Sequence, residues 1–202
     1  MKVWALLFAC LVASLAQAER EITIPKGKKI RDNRVRAEIL GVPGEKFTKT
    51  WLGTGFLQAY DFEWTTFQDG QSKANSSFDF SYNFAPPIMD ISPGISIGVQ
   101  DSLNRSEDGR GVYVASTFQY GNEGDNNQNI PTEFTFGFWT KKTGLFFAGA
   151  SLPLSEKLIL LCEHNSKRLA AGIEIRPFTG ATFKTVFEQS GTSFGLALSR
   201  RF

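Results

Sequence analysis

The last stretch of the chain, GTSFGLALSRRF (residues 191–202), decides the fold. Thr192, Phe194, Leu196, Leu198, Arg200 and Phe202 fall on one face of an extended backbone, and Ser193, Gly195, Ala197, Ser199 and Arg201 on the other. A period of two is the signature of a strand with unlike faces. The same alternation recurs upstream. Phe183, Thr185 and Phe187 oppose Lys184 and Glu188, while Leu169, Ala171, Ile173 and Ile175 alternate with Arg168, Gly172, Glu174 and Arg176. Phe134, Phe136 and Phe138 alternate with Glu133, Thr135 and Gly137, and Phe78, Phe80, Tyr82 and Phe84 with Asp79, Ser81 and Asn83. Leu52, Phe56, Tyr60, Phe62 and Trp64 alternate with Gly53, Gly55, Asp61 and Glu63. Breakers such as Gln68-Asp69-Gly70, Ala85-Pro86-Pro87, Lys142-Thr143-Gly144, Pro153-Leu154-Ser155, His164-Asn165-Ser166 and Pro177-Phe178-Thr179-Gly180 separate the runs at hairpin spacing. No 3.6-residue pattern competes, so the chain reads as all-β. Ten strands are counted from about residue 50 onward if Trp51 to Phe67 is one strand; splitting that run and adding Arg36 to Val42 gives twelve.

In a soluble sandwich the apolar face points inward, whereas in a transmembrane barrel it meets lipid and the polar face lines the lumen. The polar face here is rich in Gly, Ala and Ser, as a narrow lumen requires. Its charges mix signs, and Glu163, Arg168, Glu174, Arg176, Lys184 and Glu188 are expected to form a lumen charge network. The C-terminal run Phe194, Leu196, Leu198 and Phe202 resembles the signal by which bacterial outer-membrane proteins are recognised for insertion, with Arg200 as its departure. The expectation is an antiparallel up-and-down transmembrane β-barrel of about ten to twelve strands. A secreted or periplasmic β-barrel or sandwich binding a lipid or glycan is the alternative.

The composition fits this reading. With 202 residues, 42% hydrophobic and 21% charged, the chain has room for one domain. A mean hydropathy of −0.17 excludes a helical membrane protein. Twenty-two Lys and Arg against twenty Asp and Glu give no mandate for nucleic acid, and one His and two Cys leave little for a metal site. Met1-Lys2, the apolar run Val3 to Leu15 and Ala16-Gln17-Ala18 read as a signal peptide over residues 1–18. Residues 19–49 form a basic N-terminal segment with room for a first strand, and residues 50–202 the barrel. The exported chain retains one thiol, Cys162.

From Gly94 onward the chain resembles the YjbH-like outer-membrane proteins. The matching segments are Gly94-Ile-Ser-Ile-Gly-Val-Gln-Asp101, Val112-Tyr-Val-Ala-Ser116, Glu133-Phe-Thr-Phe-Gly137, Gly149 with Leu152-Pro-Leu-Ser155, Leu158 to Glu163, Ala170-Ala-Gly-Ile-Glu-Ile-Arg-Pro177 and Ser193-Phe-Gly-Leu-Ala-Leu198. The evidence is their order. His164, where that family tends to have Tyr, and the polar insert Asn122 to Asn129 depart from it. The resemblance implies a single-barrel version of the family, with a structural or accessory role in envelope or exopolysaccharide biogenesis. It brings no catalytic residues. The implied partners are outer-membrane lipid, the barrel assembly machinery, and polysaccharide or export proteins around a monomer.

Two constellations carry the remaining chemistry. Glu163-His164-Asn165-Ser166 with Glu174 resembles the arrangement in lipid A deacylases of the PagL kind, in which His164 would activate Ser166 and Glu174 would orient the His. A polar hairpin turn explains the same residues, and no enzyme is expected. The basic run Lys26, Lys28, Lys29, Arg31, Arg34 and Arg36 suits an anionic glycan or lipid phosphate, or else a solvated N-terminal arm. Asp108 and Asp125 lack the ligand spacing of a Ca²⁺ loop, so no metal or cofactor is expected. Trp51, Trp64, Trp139 and the tyrosines are expected at membrane interfaces.

Overall fold

The computed structural model describes residues 21–28, 30, 34–42, 48–57, 59–68, 74–106, 108–121, 130–142, 144–189 and 191–202. The proposed signal peptide, together with Lys29, Arg31 and the insert 122–129, lies outside them. Period-two alternation becomes twelve strands: β1 Arg34–Gly41, β2 Thr48–Phe56, β3 Tyr60–Gln68, β4 Asn75–Ala85, β5 Gly94–Gln100, β6 Gly111–Tyr120, β7 Thr132–Trp139, β8 Phe146–Ser155, β9 Leu158–His164, β10 Leu169–Phe178, β11 Ala181–Glu188 and β12 Gly191–Arg201. Each pairs antiparallel with its neighbours in sequence, and β1 pairs with β12 to close the barrel. Closure leaves no open edge to recruit another chain.

The larger of the two expected strand counts is the observed one. The Trp51–Phe67 run breaks at Leu57, whose backbone turns left-handed at φ 51°, and Arg34–Gly41 supplies the extra strand. The barrel therefore begins at residue 34, inside the basic segment. Pro153 does not end β8. That strand runs on to Ser155, with a register shift between Pro153 and Ser155 that accommodates the missing N–H.

The greasy face points out. Val35, Ile39, Leu52, Phe62, Trp64, Phe78, Phe80, Phe134, Phe136, Ile173, Phe183 and Phe194 are all exposed on the outer wall. A continuous belt of this kind is an interaction surface rather than a solvated face. Ser193, Gly195, Ala197 and Ser199 of β12 face inward and are buried. Trp51, Trp139 and Tyr113 differ from expectation: only 3%, 5% and 7% exposed, they sit inside the barrel. Their odd numbers put them on the inner face, opposite the outward Leu52, Phe138 and Val112. Of the three sequence-proposed tryptophans, Trp64 faces out.

Candidate functional site

The lumen is filled by the chain's own N-terminal segment. Residues 21–30, where described, belong to no named strand, yet Glu21, Ile22, Ile24, Lys26 and Ile30 are almost wholly buried. A segment outside the strands must still satisfy its backbone polar groups when it leaves water. Here the barrel wall does so with side chains. Glu163 Oε2 accepts the amides of Ile22, Thr23 and Ile24 at 2.9, 2.8 and 3.1 Å, and its Oε1 accepts the Thr23 hydroxyl. Further along, the Gly27 amide donates to Thr117 Oγ1 at 2.7 Å, and Asn83 Nδ2 donates to the Gly27 carbonyl at 3.0 Å. Ser96 donates to the Lys26 carbonyl at 2.7 Å, and the Ile30 amide donates to Asp61 Oδ1 at 2.9 Å. The solvated arm expected from the charge count is thus replaced by a lumen insert, because wall groups replace its water.

The apolar side chains of the segment build a core inside the barrel. Ile22 packs with Leu40, Trp51, Ile159, Leu161, Ala170 and Val186, while Ile24 packs with Tyr113, Ala115, Trp139 and Phe147. The small inward residues make room for it. A Cβ on Gly149 would meet Ile24 Cδ1 at 2.7 Å and Glu21 Cγ at 2.9 Å. Gly27 and Gly94 approach so closely that a Cβ on Gly27 would lie 2.3 Å from the Gly94 carbonyl oxygen. Both glycines are needed for that backbone contact.

Charge ties the segment to the wall as well. Lys26 Nζ lies 2.8 Å from Glu133 Oε2 and 3.3 Å from Glu21 Oε1. Lys28 reaches Glu133 Oε1, which also accepts from Gln119 Nε2 at 2.7 Å. A second group joins Lys184 to Glu38 at 3.2 Å and Glu174 at 3.7 Å, with Arg176 bonded to Glu174 and Arg36 to Glu38. Lys184 also donates to the Glu21 carbonyl at 3.2 Å. A buried charge without a partner costs several kcal/mol, so such pairs hold only as a set. A cavity beside the segment, bordered by Lys28, Asp61, Glu63 and Gln100, measures about 40 Å³. That holds a few waters at roughly 10–15 Å³ each.

The sequence-proposed residues divide accordingly. Of the expected charge network, Glu163, Glu174, Arg176 and Lys184 line the interior. Arg168 and Glu188 pair at 3.8 Å near one barrel end, where the Arg168 side chain is 59% exposed. Of the basic run, Lys26, Lys28, Arg34 and Arg36 are turned into the barrel and away from an external glycan. The catalytic trio is not assembled. His164 faces outward on β9, whereas Glu174 faces the lumen from β10, bound to Arg176 and Lys184. Ser166 sits in the turn at φ 74°, its hydroxyl donating to the Phe146 carbonyl and accepting the Phe146 amide at 3.0 Å. Its own amide donates to His164 Nδ1 at 3.3 Å, so the pair makes a turn and carries no nucleophile–base contact. Phe194, Leu196 and Leu198 of the C-terminal run face outward, and Phe202 is exposed past the end of β12.

Glu163, Glu133 and the insert itself are what sequence reasoning missed as a unit. A signal was present: Ile22, Ile24 and Ile30 are apolar residues set among charges.

No protein-family model matches the chain, and no curated protein matches it. Among solved structures it is similar to the KdgM porin, with a TM-score of 0.53 and 9% identity over 84% of this chain and 99% of that one. It is also similar to the KdgM porin in complex with disordered oligogalacturonate, with a TM-score of 0.52 and 8% identity over the same shares. At such identities the likeness is one of architecture: the chain has the closed antiparallel barrel fold of these porins.

Proposed function

We propose that this protein is an outer-membrane β-barrel sealed by its own N-terminal segment, serving cell-envelope or exopolysaccharide biogenesis as a structural or accessory component rather than as an open diffusion pore. The observation that carries the sealed-barrel reading is the insert formed by the described residues of 21–30, bonded to Glu163 and Glu133 and buried against the inner wall. The outward Phe, Leu and Ile belt favours lipid over water around the wall. The porin architecture supports a channel-derived, non-enzymatic scaffold, and the separation of His164 from Glu174 across the wall removes the hydrolase alternative's orienting group. The link to exopolysaccharide rests on the resemblance to YjbH-like proteins.

Two experiments test the proposal. Membrane fractionation with a heat-modifiability gel is expected to recover the protein in the outer membrane as a band that shifts on boiling. Soluble recovery without detergent would remove the lipid-facing assignment. Deletion of the gene is expected to alter surface polysaccharide, and unchanged polysaccharide would remove the biosynthetic role while leaving the barrel intact.

A further inference from the structure

The closure seam of the barrel carries a groove on its outer wall. Ala37 is its small floor. Ile39, Leu52, Trp64, Leu196 and Leu198 rise around it, enclosing about 280 Å³. Of the polar residues bordering it, Glu38 turns its carboxylate inward to Arg36 and Lys184, and Thr50 and Thr66 bond each other at 2.5 Å, so the groove offers an apolar surface with its hydroxyls engaged. The register explains the hollow. Ala37 lies opposite Leu198 on one side and Leu52 on the other, and Leu52 lies opposite Trp64, so one methyl stands in a row of large side chains.

Arg200 stands at the end of this groove. It faces outward two residues beyond Leu198, about 7 Å along the strand, and pairs in register with Val35. It is exposed, and among the described residues it forms no ion pair. In the C-terminal signal this position departs from the usual apolar residue. A guanidinium on the lipid-facing wall near a barrel end reaches toward the headgroup layer and presents a planar fork suited to phosphate.

We infer that the seam groove and Arg200 together form a binding site for one anionic phospholipid, its acyl chain along Ala37 and its headgroup phosphate on Arg200. The groove accepts a chain because its lining is apolar; the cation favours a headgroup whose phosphate charge is not offset by a choline ammonium. The site belongs to the leaflet at the barrel end where β1 begins and β12 ends. This inference rests on the membrane placement proposed above.

The test is native mass spectrometry of the full chain in detergent, shown beforehand to be folded by its heat-modifiable band. It is incubated with phosphatidylglycerol or phosphatidylcholine of matched acyl chains. The wild type is expected to retain phosphatidylglycerol about fivefold better, the factor one cation contributes near anionic lipid. Arg200→Gln should reduce it to the phosphatidylcholine level and Arg200→Lys should keep part of the preference. Ala37→Trp, which fills the groove, should lower retention of both lipids. Equal retention of the two lipids by the wild type, or an unchanged preference in Arg200→Gln, would overturn the site. Water-soluble recovery without detergent would instead overturn the membrane reading, whereas a chain that inserts into vesicles but shows no lipid preference overturns this inference alone.

Discussion

Glu163 Oε2 accepts the amide of Ile22 at 2.9 Å across 141 positions of sequence. The same oxygen takes the next two amides, so one carboxylate on β9 organises three consecutive backbone donors of a segment outside the named strands. This is how a barrel of porin architecture comes to have a core.

Glu163→Ala leaves those amides and the Thr23 hydroxyl without acceptors inside the wall. A buried donor deprived of its partner costs about 1–3 kcal/mol, so the total is expected to reach about 3 kcal/mol or more. The temperature at which the folded band is lost should fall by several degrees. Glu163→Gln, which retains a carbonyl oxygen, should cost roughly 1 kcal/mol. Equal stability of wild type and Glu163→Ala on the gel would contradict the anchoring.

Lys26 serves two carboxylates at once, Glu133 and Glu21. Removing one partner from such a buried group is expected to cost about 3–5 kcal/mol, so Lys26→Met should be strongly destabilised. Glu133 keeps Lys28, so Glu21 is the carboxylate left without its ion pair, and adding Glu21→Gln removes that stranded charge. The double variant should therefore be more stable than the sum of the single effects by roughly 0.5–3 kcal/mol. Strict additivity in denaturant titrations would mean that the two groups do not meet.

Gly149 is the place to expel the insert sterically. A side chain there meets Ile24 and Glu21 within 3 Å, so Gly149→Leu cannot coexist with the seated segment. Overpacking of this kind costs about 1–3 kcal/mol. The expected outcome is a folded barrel with protease-sensitive N-terminal residues and a conductance absent from the wild type. Full protection of the segment in Gly149→Leu would sink the packing account.

The β5–β6 connection supplies a pH test outside the strands. Burial pushes the Asp101 carboxyl up, but hydrogen bonds from the Ser106 hydroxyl and from the amides of Arg105 and Ser106, at 2.6, 2.8 and 2.7 Å, hold it below the ordinary value of 3.8. A depressed carboxyl contributes order above its unfolded value and loses it as pH falls through the folded one. The amide resonances of Arg105 and Ser106 should titrate together with a midpoint below pH 3.8. In Asp101→Asn they should be pH-independent. A midpoint above 3.8 would reverse the sign.

The strands were legible because alternation is local. Each run from Phe78 to Phe202 shows its two faces within a few residues, and closure then follows from antiparallel neighbours. Trp51 and Trp139 were equally legible by parity; expecting them at an interface put aromatic habit above the two-residue period that places them inside. The insert was legible only as Ile22, Ile24 and Ile30 set among charges. The described residues of 21–30 belong to no named strand, and the wall groups that desolvate them, Glu163, Glu133 and Thr117, lie 90 to 141 positions away. The Gly, Ala and Ser of the inner face were read as fitting a small lumen; Gly149 shows that they also leave volume for Ile24. The trio His164, Ser166 and Glu174 looked close in sequence, yet the β9–β10 hairpin puts His164 and Glu174 on opposite sides of one wall.

The most direct test of the sealed barrel is single-channel recording in planar bilayers on the full chain, with insertion verified by the heat-modifiable band. The account predicts no sustained open level for the wild type and a stable conductance once Glu163→Ala frees the segment. A wild-type chain that inserts and conducts steadily would show that residues 21–30 do not fill the lumen, and would contradict it.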